Sequence, residues 1–120
     1  MSSVKCLEPV TQERQPNMKL VLPFTKIMQE DQYLINQVKQ IGLNFKSVKF
    51  TGHHEIPMQD GLLIDINGMT QFYDLFLFCA CFDINYAIKL YEDGATLLKF
   101  QAGGMYKEEP LKHYMVQEML

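Results

Sequence analysis

The residues best suited to chemistry lie together in one polar loop. His53, His54 and Glu55 are consecutive, Asp60 follows, and His113 could join them only through the fold. Histidine titrates near neutral pH, so these side chains could act as acids or bases. Adjacent histidines diverge from the backbone, however, and zinc sites use wider spacings such as H-x3-H or H-E-x-x-H. The pattern favours a solvated loop, and we expect neither a metal nor another cofactor.

Two aspartates interrupt apolar sequence. Asp65 lies within residues 62–66, and Asp74 is the only charged residue within residues 72–82. A carboxylate removed from water without a partner has a raised pKa, which is how catalytic acids are tuned. Water contact explains both equally well, with Asp65 on an open sheet face and Asp74 along one wet edge of a helix. We favour this second interpretation and keep both residues as catalytic candidates beside His53 and His54.

Tyrosines offer a different kind of site. Aromatic side chains with one polar atom are enriched in ligand pockets and interfaces. Tyr73, Tyr86 and Tyr91 are therefore candidates for lining a ligand pocket. Core packing explains them equally well from the sequence alone.

Several classes of activity lack their sequence signatures. The chain has no G-x-G-x-x-G, P-loop, G-x-S-x-G, H-E-x-x-H or paired C-x-x-C motif, which disfavours nucleotide-cofactor enzymes. The net charge of −3 gives no basic field for nucleic acid. Three cysteines, two of them in apolar sequence, indicate reduced thiols in a cytoplasmic protein. No apolar run approaches the ~20 residues that cross a membrane, and no targeting signal is visible.

The most apolar stretch, residues 69–82, is the predicted core segment. Its length and Thr70, a possible N-cap, favour a helix, whereas its aromatic and cysteine content is also typical of a central strand. We favour the helix. Because Asp74 alone is charged from Phe72 onward, we expect other parts of the protein to cover this segment on nearly all sides.

The remaining elements are read from periodicity and from turn residues. The pattern predicts strands over residues 18–24, 43–50 and 61–66, and a helix from Ile27 to Ile41 that ends at Gly42. Thr25 or the pair Glu30-Asp31 could serve the start of this helix. In the second strand, Phe45 and Phe50 have opposite parity, which indicates either a bulge or two partly covered faces.

The C-terminal third is ambiguous. Residues 84–100 fit a hairpin turning at Asp93-Gly94, and also fit a helix interrupted by one glycine; we favour the hairpin. Residues 107–120 repeat apolar side chains at helical spacing, with Pro110 near the start, and predict a final amphipathic helix.

This order of elements predicts a small α+β sandwich. A mainly antiparallel sheet would carry helices on one face, in a ferredoxin-like (βαββαβ) arrangement with an added C-terminal helix. At 120 residues we expect one domain, residues 18–120. Residues 1–17 form an N-terminal arm, ordered only if it packs on the body or on a partner.

The leading functional hypothesis is a non-catalytic binding module. It would bind another protein, as an acidic inhibitor or immunity-type protein does, or enclose a small ligand at a homodimer interface. Eight methionines in the chain, and the methionines and Tyr114 of the predicted last helix, suit an adaptable interface, for which we select Glu108, Glu109, Tyr114 and Met115. The alternative is a small enzyme with a tyrosine-lined pocket and His/Asp acid–base chemistry.

Overall fold

The computed structural model describes residues 17–42 and 44–119. The predicted arm therefore lies outside the described residues, apart from Asn17. Within them the chain forms a mixed α+β fold, as predicted, in which the sheet predominates. The elements in chain order are β1 (Asn17–Pro23), α1 (Lys26–Glu30), α2 (Gln32–Ile41), β2 (Asn44–Thr51), β3 (Gln59–Asn67), α3 (Met69–Cys81), β4 (Tyr86–Tyr91), β5 (Gly94–Gln101), β6 (Met105–Pro110) and β7 (Met115–Glu118).

The seven described strands form one antiparallel sheet. Their order is β6-β5-β4-β1-β3-β2-β7, with β1 at the centre. β1 pairs with β3 along its whole length, with Pro23 opposite Gly61, and pairs with β4 from Lys19 to Val21. Helical connections join β1 to β2 and β3 to β4. β2 pairs continuously with β3, so its two parities reflect two covered faces and not a bulge.

The two faces of the sheet carry separate apolar clusters, because strand side chains alternate between the faces. On one face, buried residues of β1 and β3 such as Leu20, Leu22 and Ile64 pack against α2 and α3. On the other face, the buried residues all come from strands. They are Val21, Val48, Phe50, Leu63, Ile88 and Ala95, with Leu97, Leu111 and Val116 packed against them.

The sheet curls toward this helix-free face. β6 and β7 lie at opposite edges of the sheet, six strand spacings apart, which would be about 29 Å in a flat sheet. Only five residue steps connect Pro110 to Met115, and they reach at most about 18 Å. The two edges must therefore approach each other, and the helix-free face lies on the concave side.

Helix α3 begins and packs differently from expectation in two respects. Its N-cap is Gly68, at φ 92°, so the predicted capping role of Thr70 is wrong. Its sheet-facing side is buried, but Leu77 is 65% exposed and Tyr73 is 50% exposed on the outer side. The expectation of cover on nearly all sides is wrong because the helices form an outer layer with only the sheet beneath them.

The first predicted helix is interrupted at Asp31. Thr25 caps α1 by accepting a hydrogen bond from the Met28 amide. Asp31 then adopts an extended conformation and caps α2, with its carboxylate accepting from the amides of Tyr33 and Leu34. Gly42 ends α2 in the left-handed conformation, as predicted. The break separates Ile27, which is 81% exposed, from the buried face of α2.

The predicted hairpin is confirmed and the predicted C-terminal helix is wrong. β4 and β5 pair from Tyr86 with Lys99 to Tyr91 with Gly94, so the turn residues are Glu92 and Asp93, one position earlier than predicted. Residues 107–119 supply β6 and β7 instead of a helix. β6 pairs with β5 and β7 pairs with β2, and these long-range pairings override the helical spacing.

Candidate functional site

The concave face contains an apolar cavity of about 570 Å³. Its floor and walls come from strands that the curl brings toward each other: β2 and β3 on one side, β4 and β5 on the other. A few polar side chains are interspersed among apolar ones. The lining consists of Phe50, Gly52, His53, Ile56, Gln59, Asn85, Tyr86, Ile88, Leu97, Lys99, Phe100, Gln101 and Leu111. We refer to it as the concave cavity.

Two segments from distant parts of the chain cover the concave cavity. One is the loop of residues 52–58, between β2 and β3, and the other is the connection of residues 111–114, between β6 and β7. They meet at Gly52, where an added Cβ would lie 3.7 Å from a methyl group of Leu111 and 3.5 Å from one of Ile88. The Leu111 amide donates to the Ala95 carbonyl at 3.0 Å, which fixes the connection to β5.

The buried Thr51 side chain organises the covering loop. Its hydroxyl lies 2.9 Å from the carbonyl oxygens of both His53 and Ile56, and it accepts a hydrogen bond from the His53 amide. The Ile56 amide donates to the His53 carbonyl at 3.1 Å. These hydrogen bonds satisfy backbone polar groups of the tight loop and hold His53 and Ile56 against the cavity.

Polar groups at the cavity are held by neighbours. Gln59 Nε2 donates to the Tyr86 hydroxyl at 2.9 Å, which links β3 to β4 across the curl. Lys99 Nζ lies 3.1 Å from Glu109 Oε2 on β6. The cavity therefore combines a mostly apolar lining with a few directional polar groups, which is the usual composition of a ligand pocket.

The fold unites all three histidines. The rings of His53 and His54 stack with centroids 4.7 Å apart, and His113 packs edge-on against His54 at 4.8 Å. His113 belongs to the connection of residues 111–114, so the sequence could name this association only as a possibility. Within residues 17–42 and 44–119, no three His, Cys, Asp or Glu side chains are arranged to hold a metal ion.

The candidate aspartates lie apart from the histidines. Asp65 forms an ion pair with Lys19 across β3 and β1, at 2.9 Å. Asp74 is exposed on α3 and lines a groove between α2 and α3 with Tyr33 and Leu77. The structure therefore brings neither carboxylate to His53 or His54.

The candidate tyrosines also separate. Tyr86 lines the concave cavity, whereas Tyr73 lies on the outer side of α3. Tyr91 lies at the end of β4, where its hydroxyl donates to the Glu108 carboxylate and Lys89 Nζ lies 4.9 Å from the centre of its ring. Of the predicted ligand-binding residues, only Tyr86 is at this cavity.

The predicted interaction residues occupy opposite sides of the sheet. Glu108 and Glu109 belong to β6 at one edge, while Met115 begins β7 at the other edge and Tyr114 directly precedes it. The predicted amphipathic helix would have placed these four residues together, but β6 and β7 form in its place.

Comparison of the chain with protein-family models, curated proteins and solved structures gave no match. No described helix is both long enough and apolar enough to cross a membrane. The site is therefore defined by its own geometry.

Sequence reasoning missed Ile88 and Leu97, because apolar strand residues look like ordinary core, and missed Leu111, because it lay within the predicted C-terminal helix. The one available signal was the opposite parity of Phe45 and Phe50, which indicated a second covered face.

Proposed function

We propose that the protein is a non-catalytic binding module that receives a small apolar ligand in the concave cavity. The observation that carries the proposal is the cavity itself: about 570 Å³ of mostly apolar space on a sheet face that no described helix covers. This volume lies within the range typical of small-molecule sites, roughly 300–1,000 Å³. Burial of apolar ligand atoms would contribute about 0.8 kcal/mol per CH₂ group.

The separation of the acid–base candidates supports binding over catalysis. Asp65 is neutralised by Lys19, and Asp74 lies in the groove between α2 and α3. At the concave cavity the polar groups instead suit orientation of a ligand: Tyr86 receives a hydrogen bond from Gln59, and Lys99 faces Glu109.

A neutral fluorescent probe, N-phenyl-1-naphthylamine, tests the proposal. We expect saturable fluorescence enhancement with the unaltered protein and its loss in Leu97→Trp, because the larger side chain fills the cavity. Leu90→Trp is the matched control. Leu90 is a partly buried leucine of the same hairpin and the same cluster, but it does not line the cavity.

Two results would contradict the proposal: no saturable binding by the unaltered protein, or equal binding by the two tryptophan variants. The protein–protein form of the hypothesis predicts a different pattern, in which a partner inserts an apolar side chain and Leu97→Trp blocks the partner but not the probe. The inhibitor and homodimer versions no longer have the predicted C-terminal helix as their basis.

The enzyme alternative is favoured by one observation, that His53 and Tyr86 line the same cavity. Under this alternative a cavity-bound substrate would be turned over, and His53→Gln would abolish turnover while leaving probe binding unchanged. Under the binding-module proposal the same variant leaves probe binding intact, and no turnover accompanies it.

We also propose that residues 17–91 form a ferredoxin-like unit. The order β4-β1-β3-β2 and the helical connections after β1 and β3 support it. A cytoplasmic location is proposed from the free thiols of Cys79 and Cys81.

A further inference from the structure

The three histidines border a second, smaller pocket beside the concave cavity. Its volume is about 270 Å³, which leaves room for a small ion with several waters, at about 30 Å³ per water. The lining consists of Thr51, His53, His54, Lys112, His113, Tyr114 and Met115. We refer to it as the histidine pocket.

The charge character of the histidine pocket is opposite to that of the protein. The chain carries a net charge of −3, yet no carboxylate lines this pocket. Lys112 supplies a positive charge, and the imidazoles of His54 and His113 each carry a ring N–H that can donate to an anion. The charged residue adjoining them in the loop is Glu55, while the β2 and β7 residues of the lining, Thr51 and Met115, are uncharged.

A hydrogen bond within the loop fixes which nitrogen of His53 can donate. His53 Nδ1 accepts a hydrogen bond from the Glu55 amide at 3.1 Å. Because one nitrogen of a neutral imidazole accepts and the other carries the proton, Nε2 of His53 is an N–H donor. His53 thus offers a hydrogen-bond donor without needing a positive charge.

The packing of the three histidine rings also favours the binding of an anion. His54 lies between His53 and His113, with centroid distances of 4.7 and 4.8 Å. Three imidazoles and the Lys112 ammonium group therefore border one small pocket. A bound oxyanion would accept hydrogen bonds from several of these donors at once.

We propose that the histidine pocket binds a phosphate-class oxyanion, either free phosphate or the phosphoryl group of a small monoester. Lys112 and His113 approach the anion from the connection of residues 111–114, and His53 and His54 approach it from the loop of residues 52–58. Binding would therefore join the two segments that cover the concave cavity.

The test is a titration followed by NMR of the histidine ring C–H signals, with inorganic phosphate and methyl phosphate as probes. Sodium chloride keeps the ionic strength constant. We expect saturable shifts for His54 and His113 with both probes at constant pH, because these rings border the pocket. Binding of both probes identifies the phosphoryl group as the recognised chemistry, and binding of inorganic phosphate alone identifies free phosphate.

Lys112→Gln should weaken phosphate binding about tenfold, the size of a charge-assisted hydrogen bond. Lys107→Gln is the matched control, since it removes the same charge from an exposed position of β6 outside the pocket. Both lysines are exposed, so the amide spectrum should stay unchanged. Shifts that rise linearly, that chloride reproduces, or that the two lysine variants alter equally would overturn the proposal. Probe binding at the concave cavity is measured separately, so the two proposals can fail independently.

Discussion

The Phe50 ring lies directly against the backbone of Gly61. A Cβ at Gly61 would come within 2.6 Å of Phe50 Cε1 and within 2.6 Å of the Leu22 carbonyl oxygen. Gly61 pairs with Pro23 on one side and with Val48 on the other, on an interior strand of the sheet. The absence of a side chain at this position is what allows Phe50 to form part of the cavity wall.

Gly61→Ala should lower the free energy of unfolding by about 1–3 kcal/mol, the usual effect of overpacking a core. Gly94→Ala is the control, because no atom lies within 4 Å of its added Cβ and its φ is not positive. Urea denaturation of both variants measures the difference. An equal, small effect for both would show that the contact between Phe50 and Gly61 relaxes without penalty.

Asp31→Ala should destabilise the protein by about 1 kcal/mol, because the amides at the start of α2 lose their acceptor. Glu30→Ala removes a carboxylate of the preceding residue, which does not cap α2. Thermal unfolding should separate the two variants. If they unfold at the same temperature, the Asp31 cap does not stabilise the junction of α1 and α2.

The two cysteines of α3 should differ in reactivity. Burial raises the pKa of the Cys79 thiol to about 12, whereas the Cys81 side chain is exposed. Thiolate is the reactive form, so iodoacetamide at neutral pH should label Cys81 and leave Cys79 unmodified until the protein unfolds. Peptide mass spectrometry reads out both sites. Rapid labelling of Cys79 in the native protein would contradict its placement against the sheet.

Glu108 should contribute an acid-sensitive increment of stability. The hydrogen bond from Tyr91, then that from Thr96 and the charge of Lys89, lower the pKa of this carboxyl, although partial desolvation opposes them. A lowered folded-state pKa stabilises the protein above the unfolded value, about 4.3, and this stability is lost as the pH falls through the folded value. Because the pair is exposed, we expect less than about 1 kcal/mol.

Tyr91→Phe should therefore raise the pKa of Glu108 and reduce stability at neutral pH more than in acid. Tyr33→Phe is the control, since the Tyr33 ring packs on Phe82 at the α2–α3 layer. NMR titration of the Glu108 carboxyl in both variants gives the answer, and an unchanged titration in Tyr91→Phe would remove the tyrosine hydroxyl as the cause.

The outer side of α3 should tolerate polar substitution. Leu77→Gln should change the free energy of unfolding by no more than about 0.5 kcal/mol, because Leu77 is largely in water. Leu75→Ala, two residues earlier and 1% exposed, should cost about 2–5 kcal/mol. Denaturation experiments compare them. A large loss with Leu77→Gln would mean that another surface covers this side of the helix.

Sequence patterns within a single segment correctly predicted the helices and most of the residues at their ends. The length of residues 69–82 correctly favoured a helix, and Gly42 and Thr25 acted at helix ends as expected. The break at Asp31 shows a limit of periodicity, since one side chain that caps two adjacent amides can divide an otherwise continuous pattern. Thr70 failed as a cap because the helix begins at Met69, which places Thr70 inside the first turn and Gly68 at the N-cap position.

Long-range pairing decided what local patterns could not. Leu111, Tyr114, Met115 and Met119 have helical spacing, yet residues 105–110 and 115–118 pair with strands that precede them in the chain. The concave cavity depends on the curl of the whole sheet, so no single segment encodes it. The meeting of His113 with His54 has the same origin, since only the short connection between the two sheet edges brings these residues together.

The connection from β6 to β7 also sets the order in which parts of the sheet can form during folding. β7 needs the exposed edge of β2 as its template, and Leu111 needs the hairpin of β4 and β5. The contacts between β7 and β2 span more than half of the sequence, and such non-local contacts form late and slowly in folding. During synthesis, before residues 111–118 have left the ribosome, we therefore expect the apolar cluster of the concave face to be exposed to water. The chain should be most prone to aggregation until β7 has paired with β2.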